Sequence, residues 1–197
     1  KIITLLPGSR ISEIKNNLDL MFNSVNLINK EFVWNKLKRP QFVIPVNSKN
    51  NYDFIVRRLN SSNKNLNNIK LIIGHSHDAI CASDFVISVS GTATLEAALF
   101  KKPMIIVYKT SLISWLVLKN LILIPYVGLP NILLKKFVVP EFLQKNATPE
   151  NISMKTMEIM QDKKLQKNLK IIFKELHINL KKNTAEIIYK KINNYLK

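Results

Sequence analysis

Ile2-Ile3-Thr4-Leu5-Leu6-Pro7-Gly8-Ser9-Arg10 decides how the rest of the chain is read. Five apolar or β-branched residues stop at a Pro-Gly pair. From about Ser12 to Lys30, apolar residues then recur at Ile14, Leu18, Met21, Phe22, Val25 and Ile28, the three-to-four spacing of an amphipathic helix. Strand, tight turn and helix make half of a βαβ unit, and the alternation continues. Strands are expected at Gln41–Val46, Lys70–Ile73, Phe85–Ser88 and Met104–Val107, and helices at Tyr52–Leu59, Asp78–Ala82 and Thr92–Phe100. Strands that read as Ile/Val runs belong to parallel sheets covered on both faces. The expected fold class is therefore α/β, a Rossmann-like doubly wound parallel sheet. It is assigned to residues 1–148. A C-terminal helical extension, 149–197, follows with helices at Ile152–Met160, Lys164–Leu180 and roughly Ala185–Leu196.

The chain has 197 residues, room for one domain at ~100–200 residues each. A hydrophobic share of 47% excludes wholesale disorder. A lone Cys81 excludes a disulfide framework and a Cys-based zinc cluster. Lys1 replaces a start Met and leads at once into a core strand, so the chain is expected to be a piece of a longer protein.

Thirty Lys and Arg against 13 Asp and Glu give a net charge of +17. That points to an anionic partner: nucleic acid, anionic membrane or phosphorylated ligand. Abundant Lys, Asn and Ile also fit AT-biased coding. The four arginines, Arg10, Arg39, Arg57 and Arg58, are then the more informative cations. Few arginines and no aromatic–basic alternation on a strand argue against single-stranded nucleic acid, and no nucleic-acid partner is expected.

Two turns carry candidate chemistry. Gly8, Ser9 and Arg10 sit where the first strand gives way to the first helix. Ligands of open α/β sheets bind beyond strand carboxyl ends, where helix N-termini point. Arg10 adds a fork of donors suited to phosphate. The second turn is Ser88-Val89-Ser90-Gly91-Thr92-Ala93-Thr94-Leu95-Glu96. Ser90, Gly91, Thr92 and Ala93 open a helix with small residues, leaving N–H groups to meet an anion. Glu96, read as lying in that helix's first turn, suits a carboxylate accepting from a ribose diol. The pair fits a nucleoside diphosphate.

Asn131, in Tyr126-Val127-Gly128-Leu129-Pro130-Asn131-Ile132-Leu133, is a lone amide among apolar neighbours. It bonds either local backbone or a polar ligand. Gly74-His75-Ser76-His77-Asp78 offers metal-type ligands, but His-x-His at a helix start more often caps, and no metal is assigned. Residues 97–140 contain no Asp or Glu while carrying several lysines and aromatics. Such a surface suits anionic lipid, with Trp115, Lys119 and Leu121 as membrane- or acyl-facing candidates. No apolar run of ~18 residues suggests a membrane span.

Five segments in order, LLPGSR (5–10), SGTATLEAAL (90–99), KKPMIIVYK (101–109), YVGLPNIL (126–133) and VVPEFLQ (138–144), resemble the lipid-A-disaccharide synthases. These are inverting glycosyltransferases of the GT-B fold. The resemblance covers Ile2 to about Leu180 and matches only the family's C-terminal half. The N-terminal acceptor domain, with the expected general base, is absent from it. Lys135-Lys136-Phe137 departs from the family pattern. The resemblance implies a UDP-2,3-diacylglucosamine donor and a 2,3-diacylglucosamine 1-phosphate acceptor. The products are a β-1,6 disaccharide phosphate and UDP. It further implies no cofactor and no metal, a peripheral site on the cytoplasmic face of the bacterial inner membrane, and a homodimer with exchanged C-terminal segments. Arg10 and Asn131 would be catalytic: Arg10 with Gly8, Ser9, Ser90, Gly91, Thr92 and Ala93 on the diphosphate, Glu96 on ribose, Asn131 on donor sugar or phosphate. Another UDP-sugar enzyme of this fold (a GlcNAc transferase or epimerase) and a non-catalytic basic module are the alternatives.

Overall fold

The computed structural model describes residues 1–62, 66–110, 125–181, 188, 189 and 191–193. Its centre is a parallel sheet of six strands: β1 (Ile2–Leu6), β2 (Gln41–Val46), β3 (Ile69–Ile73), β4 (Phe85–Val89), β5 (Met104–Tyr108) and β6 (Glu141–Leu143). Their spatial order is β3-β2-β1-β4-β5-β6. Between them run α1 (Ile11–Trp34), α2 (Lys49–Asn60), α3 (Ser76–Ala82) and α4 (Thr92–Leu99). After β5 come α5 (Leu129–Leu134), then α6 (Pro149–Gln161) and α7 (Lys163–Leu180) beyond β6. The expected doubly wound sheet is present. Leu112–Val117, Leu121–Ile124 and most of the expected helix at 185–196 lie outside the described residues.

The chain winds outward from β1 to β3, returns to lay β4 beside β1, and winds outward again to β6. The reversal therefore falls between β1 and β4, which pair from Ile3↔Phe85 to Leu6↔Ser88. At such a switch point the loops leaving the two strands go to opposite faces and a crevice opens between them. Side chains of both faces hold the central strands rigid: Ile3, Leu5, Phe85, Val86, Ile87, Ile105 and Ile106 are fully buried.

Helix α1 ends at Trp34, four residues past the expected Lys30, because Phe32 continues the buried stripe one turn after Ile28. Lys36, at φ 56°, then turns the chain away. Residues 149–180 share the domain's core: α6 packs on α1, and Ile152, Ile159, Leu169, Phe173 and Leu176 join the cluster that contains the sheet. Strand β6 was not expected from the sequence. It pairs with β5 at Ile106↔Glu141, beside the turn that precedes α5.

Candidate functional site

A cleft of about 800 Å³ opens at the carboxyl ends of β1 to β4. Gly8, Ser9, Arg10, Ser90, Gly91, Thr92 and Ala93, from two turns some eighty residues apart, all line it. Of the predicted nucleotide-contacting residues, only Glu96 is not part of its wall.

The N-termini of α1, α3 and α4 border this cleft, and those of α1 and α4, which carry the predicted residues, differ in one respect. At α1 the positive end is already answered from within. Glu13, the third helical residue, reaches back and accepts the backbone N–H groups of Ser9 (3.0 Å) and Arg10 (3.3 Å) through Oε2. Its Oε1 takes the Arg10 guanidinium at 3.1 Å. Gly8 makes this possible. Its φ is +116°, and a Cβ there would stand 2.5 Å from both Cβ and Oε2 of Glu13. The Ser9 carbonyl is held from the other side by the amides of Asn47 and Asn51, each at 3.1 Å. Asn51 also donates to Asn47 Oδ1 at 2.7 Å.

At α4 the arrangement is open. Gly91 takes φ +155°, a conformation that disfavours a side chain, and a Cβ there would meet nothing within 4 Å. The Thr94 hydroxyl is turned inward onto the Gly91 carbonyl at 2.7 Å. Among the described residues no side chain accepts from the N–H groups of Thr92 or Ala93. Helix dipole and unpaired N–H groups thus point into the cleft at α4, with the exposed Arg10 side chain on the cleft wall beside them.

Glu96 does not occupy the first turn as expected. The helix begins at Thr92, as expected, which makes Glu96 its fifth residue and the opening of the second turn. Its carboxylate lies 3.3 Å from His77 Nε2. His77 is on the cleft wall, with its ring 5.9 Å from that of Phe100. His75, at φ 54°, pairs with Asp78 at 2.9 Å across the start of α3. Among the described residues no group of three or more His, Cys, Asp or Glu is placed to hold a metal ion.

Asn131 corrects a second expectation. It is fully buried, and both ends of its amide are spent on protein. Nδ2 donates to the Val139 carbonyl and to Glu141 Oε1, both at 2.7 Å. Oδ1 accepts from the N–H groups of Val138 and Val139 at 2.8 Å. An amide so saturated has nothing to offer a sugar or a phosphate; of the two open readings, the backbone one holds. Trp115, Lys119 and Leu121 lie outside the described residues.

The sequence reading missed Glu13, Asn47, Asn51 and Glu141. Glu13 had a local signal, since an acid three residues into a helix commonly reaches back to cap it. The others act on residues distant in sequence.

A family model for lipid-A-disaccharide synthetase matches residues 1–192. The chain belongs to the lipid-A-disaccharide synthase family. The lipid-A-disaccharide synthase of Methylobacillus flagellatus is 35% identical over 198 residues, covering 100% of this chain and 50% of that protein. That of Chromobacterium violaceum is 38% identical over 184 residues, covering 93% of this chain and 46% of that one. The chain thus spans about half the length of the curated relatives it matches. Among solved structures, an S. aureus TarM mutant in complex with fondaparinux, alpha-GlcNAc-glycerol and UDP matches with a TM-score of 0.60 at 16% identity, covering 98% of this chain and 35% of that one. The C-terminal domain of a glycosyl transferase group 1 family protein (LpcC) from Francisella tularensis matches at 0.55 and 15% identity, over 92% of this chain and 86% of that domain. These likenesses show the fold that the lipid-A-disaccharide synthase family shares with GT-B glycosyltransferases.

Proposed function

We propose that this chain is the UDP-binding half of a lipid-A-disaccharide synthase. Its partner half would supply the acceptor side and the general base. The single observation that supports the reading most is the uncapped N-terminus of α4 at the sheet's switch point, with Arg10 on the same cleft wall. The reaction would carry 2,3-diacylglucosamine from UDP to 2,3-diacylglucosamine 1-phosphate.

The chemistry follows from charge. As the anomeric C–O bond breaks, positive charge grows on the sugar and negative charge on the departing UDP. Donors fixed before the reaction stabilise that leaving group without reorganising. The N–H groups of Thr92 and Ala93 are such donors. Arg10 leaves its exposed pairing with Glu13 to join them. An exposed ion pair of that kind is worth only ~0–1 kcal/mol, so the exchange costs little. Glu96 accepts from the ribose hydroxyls once His77 gives way.

The membrane reading rests on the acid-free stretch 97–140. Among the described residues no helix is long and apolar enough to cross a membrane. An anionic bilayer surface presenting both acylated substrates is the proposed setting, and pairing of two copies through C-terminal segments is proposed with it.

Isothermal titration of the chain with UDP tests the core of this reading. One UDP per chain is expected. A folded chain that takes up no heat-detectable UDP would overturn it.

A further inference from the structure

We propose that Glu141 is a positioning residue for the nucleotide site, acting through the 127–128 peptide and the Ser90 hydroxyl. The proposal rests on the reading above, that the start of α4 receives a diphosphate.

Glu141 stands at the beginning of β6 and uses both carboxylate oxygens. Oε2 accepts the Val127 N–H at 2.9 Å, and Oε1 accepts the Gly128 N–H at 2.9 Å and Asn131 Nδ2 at 2.7 Å. The turn is pressed hard onto this acceptor. A Cβ on Gly128 would stand 2.1 Å from Ile106 Cδ1 and 3.0 Å from Glu141 Oε1. One peptide unit matters most. Its N–H is that of Gly128, on Glu141, and its carbonyl is that of Val127, which accepts the Ser90 hydroxyl at 2.6 Å. N–H and C=O of one planar peptide point in opposite directions. Fixing the N–H on a carboxylate therefore aims the carbonyl at Ser90, and the charged acceptor strengthens the bond further along the chain. Ser90 immediately precedes Gly91 and lines the cleft. Asn131 completes the clamp by tying Glu141 to the backbone of Val138 and Val139. A carboxylate on an edge strand so sets the entry angle of the chain into α4, and with it the aim of the Thr92 and Ala93 N–H groups.

A glutamine at 141 keeps the shape but offers one oxygen. Its NH₂ must face either the Val127 N–H or the pair from Gly128 and Asn131, and one side of the clamp fails. The experiment is calorimetric titration of UDP into the wild-type chain and into Glu141→Gln, Ser90→Ala, Ser90→Thr and the Glu141→Gln/Ser90→Ala pair. Circular dichroism checks that each is folded. Each of Glu141→Gln and Ser90→Ala is expected to weaken UDP by about tenfold, the scale of one hydrogen bond. The double variant is expected to be no weaker than the worse single, because both break one linkage. Ser90→Thr keeps the hydroxyl and is expected to lose less affinity than Ser90→Ala. A purely structural role for Glu141 would lower stability and leave the affinity of the folded protein unmoved, which overturns the proposal, as do losses that multiply in the double variant. Should Glu141→Gln not fold, the Ser90 pair decides alone: Ser90→Ala binding UDP as tightly as wild type overturns the proposal. A folded wild-type chain without UDP binding overturns the proposal together with the reading it rests on; wild-type binding with unmoved variants overturns the proposal alone.

Discussion

Arg10 donates to Glu13 twice, through its backbone N–H at 3.3 Å and its guanidinium at 3.1 Å. The first bond belongs to the fold, and the proposed function draws on the second. The backbone bond, with that from Ser9, closes the end of α1 and fixes the turn after β1. The guanidinium bond is exposed and easily exchanged for a ligand's oxygens. The same carboxylate thus holds the two N–H groups just ahead of α1 and sets a negative charge at that terminus, whereas among the described residues no acidic side chain stands in the first turn of α4.

Loss of the Glu13 carboxylate should therefore be felt mainly as stability. Glu13→Gln is expected to lower the unfolding free energy by ~1–2 kcal/mol, the range of a lost helix cap. Gly8→Ala should cost at least as much, since its Cβ would meet Glu13 and its φ of +116° is strained for alanine. Urea unfolding of the three proteins checks both.

Glu96→Gln tests the ribose contact. The variant keeps the shape and loses a charge-assisted acceptor worth ~1.5–3 kcal/mol, so UDP affinity is expected to fall by about one to two decades. The pairing with His77 is half-exposed, and its loss should change stability little. Wild type should bind 2′-deoxy-UDP weakly, and Glu96→Gln should lose little more with that ligand. Additive losses from ligand and mutation would assign Glu96 a structural role instead.

Asn131→Ala should behave in the opposite way. Removing the amide strands the buried N–H of Val139, the part-buried N–H of Val138 and the buried Val139 carbonyl. Each unsatisfied group costs ~1–3 kcal/mol, so the variant is expected to lose roughly 3 kcal/mol or more of stability. Chemical denaturation measures it. An unchanged unfolding midpoint with weakened nucleotide binding would restore Asn131 to the ligand.

The strand–helix alternation was legible because the buried strands are short Ile/Val runs and α1 carries an unbroken apolar stripe. The two turns that line the cleft were legible because glycine and small hydroxyl residues mark where a chain leaves a strand for a helix. β6 was not: Glu141-Phe142-Leu143 is three residues long, opens on a charge and follows a proline, so no periodicity announces it. Glu96 was read into the first turn although the expected start at Thr92 already makes it the fifth helical residue, one step past that turn. The work of Glu141, Asn47 and Asn51 depends on partners brought near only by the sheet, such as Ser9 from 38 and 42 residues away. A lone Asn among apolar residues announces a satisfied amide, but its sequence does not say whether protein or ligand satisfies it.

The central claim is that α4, not α1, receives the diphosphate. Amide chemical shifts of the ¹⁵N-labelled chain during UDP titration test it most directly. The N–H signals of Thr92 and Ala93 are expected to move strongly and in proportion to occupancy. Those of Ser9 and Arg10, already bonded to Glu13, should move far less. Large shifts at Ser9 and Arg10 with Thr92 and Ala93 unmoved would contradict the account.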